Sequence, residues 1–195
     1  MRPFGQRPRY YPIEEVMTPG PAKETEQSVE PEPRTFVEVL RAQQSMVFSI
    51  AYHFLRDRDA AEEVAQDVFV QLHQHFDELK SDAHVSFWLR RVASHRSIDY
   101  VRKRKFEAAV GLESAPAPRV DGEPKDHFLN RRLQSLIGSL PEKPRMAMIL
   151  RYQEDLMPEE IASVMNMPVR TVKSHLQRSL AMLREKIERS MGDVR

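Results

Sequence analysis

Arg170, Lys173, Ser174, Gln177 and Arg178 recur at steps that place them on one side of a helix. Their side chains are cations and hydrogen-bonding groups, the chemistry that suits phosphate oxygens and base edges. Val172, Leu176, Leu180, Leu183 and Ile187 recur at three- and four-residue steps on the other side, as an apolar stripe able to dock on a small core. A shorter helical segment precedes this one. Pro158 suits its first turn, where an amide hydrogen would be unpaired anyway, and Glu159 and Glu160 complement the positive end of its dipole. Two helices joined by a tight turn, the second with one apolar and one cationic face, have the form of a helix-turn-helix whose second helix enters the DNA major groove. A solvated amphipathic surface helix would explain the second segment alone but not the pair.

Charge is distributed unevenly, although the net charge is only +1. From Asp57 to Asp82 there are eight acids and two bases. From Val85 to Lys105 there are seven bases and one acid, Asp99. A basic block suits nucleic acid, and an acidic helix suits a protein partner with basic residues. The basic block is therefore a second candidate for DNA contact, in a different part of the chain.

The elements that must position these faces read as helices throughout, with no convincing strand. Three are expected at roughly Phe36–Leu55, Ala60–Phe76 and Val85–Lys105, and their apolar positions include Val39, Leu40, Val47, Ile50, Ala51, Phe54, Val64, Val68, Leu72, Phe76, Trp88, Leu89, Val92, Ala93 and Val101. They should pack as one small helical domain, 35–105. Residues 1–34 hold seven of the fourteen prolines and read as a disordered N-terminal extension. Residues 106–125, with three prolines and two glycines, read as a flexible linker with a reach of about 25 Å. A second domain, 126–190, begins with a helix carrying Leu129, Leu133, Leu136 and Ile137, continues with one at about Glu142–Tyr152, and ends in the helix-turn-helix.

Composition narrows the function classes. A hydrophobic fraction of 41% supports packed cores. There are no cysteines, which excludes disulfides and thiolate metal sites and fits a reducing cytoplasm. No apolar run approaches a membrane span, and the N-terminus lacks the apolar stretch of a signal peptide. His73 and His75 point to different helical faces, and no HExxH, Walker A or GxGxxG sequence is present, so neither a metal nor a cofactor is expected.

Two stretches carry a family resemblance. AAEEVAQDVFVQL followed by SFWLRRVASHRSIDYVRKRK is similar to conserved region 2 of the extracytoplasmic-function (ECF) sigma factors, the smallest members of the sigma-70 type of bacterial transcription initiation factor. LPEKPRMAMILRYQEDLMPEEIASVMNMPVRTVKSHLQRSLAMLREKI resembles their region 4. The resemblance implies an all-α chain with a three-helix region 2 domain and a region 4 helix-turn-helix domain. It implies core RNA polymerase, promoter DNA and an inhibitory anti-sigma factor as partners, with no bond chemistry, no small-molecule substrate and no membrane insertion. It assigns polymerase binding to Glu62, Glu63, Val64, Gln66, Asp67, Phe69 and Val70. The −10 promoter element falls to Trp88, Arg90, Arg91, His95, Arg96, Asp99, Tyr100, Arg102 and Lys103. The −35 element falls to Arg170, Thr171, Lys173, Ser174, His175, Gln177 and Arg178.

Trp88 matches the family's structural tryptophan, which favours core over base stacking, while Tyr100 suits either role. Four positions depart from common family choices. His95 stands where Asn is frequent, Arg170 where a small residue is, His175 where Arg is, and Met157 where a Ser or Thr cap is. Met cannot cap a helix, which costs about 1 kcal/mol unless something else compensates. A sigma mimic that only titrates an anti-sigma factor, or a simple helix-turn-helix activator, would leave one or more of the three charged faces without a use.

Overall fold

A computed structural model of the chain describes residues 35–111 and 135–192. The expected N-terminal extension, most of the expected linker, and Leu129 and Leu133 lie outside the described residues. Within them every regular element is helical, as the periodicity predicts.

The first three helices begin where side chains satisfy the unpaired amides of a first turn. α1 spans Phe36–Leu55, and its start is a reciprocal cap. Thr35 Oγ1 accepts from Glu38 N at 3.3 Å, and Glu38 Oε2 accepts from Thr35 N at 2.9 Å. α2 spans Arg58–His75 after Asp57, whose Oδ1 accepts from Ala60 N at 3.1 Å. One 3-10 turn, Phe76–Glu78, follows. α3 spans Asp82–Ala109, with Ser81 Oγ accepting from His84 N at 3.2 Å. It therefore starts earlier than the apolar pattern suggests, because the cap and not the first apolar residue sets the boundary. It also runs past Lys105, and the Lys103–Glu107 ion pair at 3.8 Å spans that expected end.

Ile50 and Phe54 of α1, Val68 and Leu72 of α2, and Trp88, Leu89 and Val92 of α3 fill the core of this first group. Trp88 is 1% exposed, which places it in the core and away from any base.

In the second group, α4 spans Glu142–Tyr152, α5 Pro158–Met165 and α6 Val169–Gly192. The α5–α6 turn is possible because Asn166 takes the left-handed conformation at φ 48°, which short polar side chains tolerate. Met167 N then reaches back to Ala162 O at 3.0 Å. Met157 does stand at the cap position of α5. Its own amide is satisfied from the other direction, by Glu160 Oε2 at 2.7 Å.

The apolar stripe of α6 differs from the expected one. Val172, Leu176, Ser179 and Leu183 are buried, whereas Leu180 is 43% and Ile187 38% exposed. At 3.6 residues per turn, Leu180 lies about 80° around the helix from Val172, at the edge of the stripe, while Ser179 lies nearly above Val172.

The two groups pack on each other, α3 against α5 and α1 against α4. At one contact the Arg145 guanidinium of α4 sits 4.2 Å from the centroid of the Phe54 ring of α1.

Trp88 is the chain's single tryptophan, so its emission reports the first core alone. Leu89→Ala should lower stability by about 2–5 kcal/mol, measured as a lower urea midpoint in Trp88 fluorescence.

Candidate nucleic-acid interface

α6 presents its cations on the side opposite its core stripe. Arg170, Lys173, Gln177 and Arg178 are exposed, while Thr171, Ser174 and His175 are half-buried along its flanks. Lys173 is tied to α5, where Glu159 Oε1 lies 2.9 Å from its Nζ. That bond pulls the Glu159 carboxyl below its usual range. α6 and the helix before it thus share an ion pair that a phosphate could replace. Burial pushes the His175 imidazole down, and Lys143 and Arg178 push it further, so the ring favours its neutral form beside two fixed cations.

α3 divides its cations among three neighbours. Arg90 Nε lies 3.3 Å from Glu154 Oε2 in the α4–α5 connection. Arg91 is 5% exposed and donates from Nη1 to Ser163 O at 3.2 Å. Both therefore engage the second helical group. Arg96 turns toward α2, where the Gln71 amide, set with its oxygen toward α3, accepts from Arg96 Nε at 2.6 Å. Near the end of the helix Arg102 lies 3.9 Å from Asp99, and Lys103 pairs with Glu107. Arg102 and Lys103 are the expected −10 cations that stay exposed. His95 is half-buried. Tyr100 is half-buried as well, and burial and the Glu63 carboxylate push its phenol up. It packs toward α2 and not outward as a free stacking platform.

Two ion pairs near the end of α3 escaped the sequence. Arg104 Nη1 lies 3.5 Å from Asp57 Oδ2, and Lys105 Nζ lies 2.6 Å from Glu142 Oε1 of α4. Nothing in the local pattern pairs residues so far apart in the chain.

The acidic helix α2 leaves Glu62, Glu63, Gln66 and Asp67 exposed. Val64 is 3% exposed and belongs to the core, so it cannot touch a partner there. Val70 is 59% exposed, and with Phe69 it borders a groove of about 940 Å³ between α1 and α2. Phe36, Leu40 and Phe48 of α1 line the other wall. Leu40, expected in the core, is half-buried at this groove. The α1 wall was missed because an apolar residue beside a groove has the same period as one in a core.

Comparison with known proteins follows the same division. Residues 39–107 match the family described as Sigma-70 region 2, and residues 130–183 match the one described as Sigma-70, region 4. The RNA polymerase sigma-E factor of Streptomyces avermitilis is 31% identical over 160 residues, covering 82% of this chain and 89% of that protein. The ECF RNA polymerase sigma factor SigW of Bacillus subtilis is 28% identical over 165 residues, covering 78% and 88%. Among solved structures, the sigma factor RpoE of Bartonella quintana, crystallised with the anti-sigma factor NepR, superposes with a TM-score of 0.65 at 20% identity. That match covers 78% of this chain and 96% of RpoE. CnrH in complex with the cytosolic domain of CnrY gives 0.59 at 19% identity, over 78% and 87%.

The Arg90–Glu154 ion pair joins α3 to the α4–α5 connection. Glu154→Ala should loosen the two groups by about 1 kcal/mol, a roughly fivefold shift toward separated forms. Small-angle scattering or a fluorescence distance between α1 and α6 would register that shift, and an unchanged profile would rule out a holding role for the pair.

Proposed function

The chain belongs to the sigma-70 family, in its extracytoplasmic-function branch, and directs promoter-specific initiation by RNA polymerase; from that premise we propose how its faces divide the work. The α1–α2 surface is the polymerase handle: Glu62, Gln66 and Asp67 supply polar and acidic contacts, and Phe69 and Val70 supply apolar area beside the groove. α3 engages the −10 element, with Arg102 and Lys103 presented and Arg90, Arg91 and Arg96 available once their present partners yield. α6 reads the −35 element through Arg170, Lys173, Gln177 and Arg178, with Thr171, Ser174 and His175 at its margins.

The observation that carries this reading is the placement of two cationic helices on two helical groups, with the acidic face of α2 and the apolar groove beside it as a separate surface. Each DNA contact is weak alone. Held by one polymerase, each raises the effective concentration of the other. Bond chemistry belongs to polymerase, and this chain acts in the cytoplasm as an initiation factor. Because Arg90 and Arg91 face the second group in the packed arrangement, promoter engagement requires the two groups to part. An inhibitor that holds them together would keep the factor silent, and the NepR complex of RpoE supports extending an anti-sigma partner to this chain.

In vitro transcription from promoter libraries with purified core polymerase tests the reading. Failure to form a holoenzyme or to initiate at defined start sites, with folded protein, would sink it. Asp67→Lys combined with Glu62→Lys should weaken core binding about tenfold or more while leaving binding of −35 duplex intact; equal core affinity would remove the acidic surface from the interface. Lys173→Ala or Arg178→Ala should lower −35-dependent initiation about tenfold, and unchanged promoter use would mean that another face reads the element.

A further inference from the structure

A cleft of about 440 Å³ lies where the end of α3, the start of α4 and the middle of α6 meet. Its lining gathers Arg102 from the first helical group with Lys143, His175 and Arg178 from the second. Among the described residues no carboxylate pairs with Lys143 or Arg178. Glu142, the one acid in the lining, is already neutralised by Lys105 at 2.6 Å. The first turn of α4, an 11-residue helix, has no side-chain cap; Pro141 and Pro144 carry no N–H, so the first-turn amides left to an anion are those of Glu142 and Lys143.

Ser179 supplies an independent sign of a ligand. It lines the same cleft, is 2% exposed, and its Oγ has no hydrogen-bond partner among the described residues. A buried hydroxyl costs stability when unpaired, and Ser179 is the polar member of a core stripe whose other members, Val172, Leu176 and Leu183, are apolar. An oxyanion would satisfy the hydroxyl and neutralise the cations together.

We propose that this cleft is a phosphate-group site, completed across the two helical groups by Arg102, and that a free phosphate monoester occupying it holds the groups together. The volume exceeds what a lone phosphate needs, and Pro144 and Met182 in the lining offer apolar surface to an organic remainder such as a nucleoside. His175 and Arg178 belong to the proposed −35 face, so the bound ligand and promoter duplex compete. The site depends on the proposed function for that competition alone, and binding by the free chain can be measured without polymerase or promoter.

The same phosphate chemistry could come from a DNA backbone, and the test separates the two sources. The full chain is titrated with inorganic phosphate and, separately, with a nucleoside monophosphate, following amide shifts and the distance between α1 and α6. The expected result is saturable binding, tighter for the monophosphate, with a shift toward the packed form. Lys143→Ala and Arg102→Ala should each weaken binding about tenfold, and Ser179→Ala about threefold. Lys143 is exposed, so its variant keeps the test valid if the buried Ser179 variant folds poorly. No saturable binding of either probe overturns the proposal. So does binding that Arg102→Ala leaves unchanged, since the cleft would then be a DNA-backbone contact of the second group alone.

Discussion

α3 must be both a core helix and a cationic surface, and the rest of the molecule depends on how one helix meets both demands. Val85, Trp88, Leu89 and Val92 follow the three- and four-residue spacing of a single face and lie in the core. That docking orients every arginine on the helix. Arg90 and Arg91 then face the second group, Arg96 faces α2, and Arg102 and Lys103 stay exposed. Rotation of α3 by one residue position, about 100°, would put Arg90 or Arg91 in the place of a core residue. The desolvation cost of unpaired cations in an apolar core makes that arrangement untenable.

The contact between the two helical groups is polar where it involves the functional helix. Arg90 meets Glu154, Arg91 meets a backbone carbonyl, and Lys105 meets Glu142. Charge-assisted contacts of this kind can be exchanged for water or phosphate at modest cost, unlike an interdigitated apolar seam. The Arg145–Phe54 stack has the same character, a cation on an aromatic face. The interface therefore suits the parting of the two groups that the proposed function calls for.

Much of the fold was legible because helices leave a strong period. The expected bounds of α1 and α4 coincide with the observed ones, and α3 differed only at its ends, where Ser81 and the Lys103–Glu107 pair set the limits. The site was legible as charge but not as geometry. Residue types located the acidic face of α2 and the cationic faces of α3 and α6. Helical spacing put Val64 in the core, whereas the family resemblance grouped it with Val70 at the polymerase face; Val64 is core and Val70 is exposed. Residue types did not separate Leu180 from Ser179, where the apolar residue is outside and the hydroxyl is inside.

From the sequence alone came the helical class, the two cored groups, the charge segregation and the family resemblance, since each rests on residue types and spacing along the chain. Tertiary structure alone decided which cations are occupied and by what. Arg91 on Ser163, Lys105 on Glu142 and the gathering of Arg102 with His175 and Arg178 join residues far apart in the chain. Helical periodicity shows which face a residue occupies, and only packing determines what that face meets.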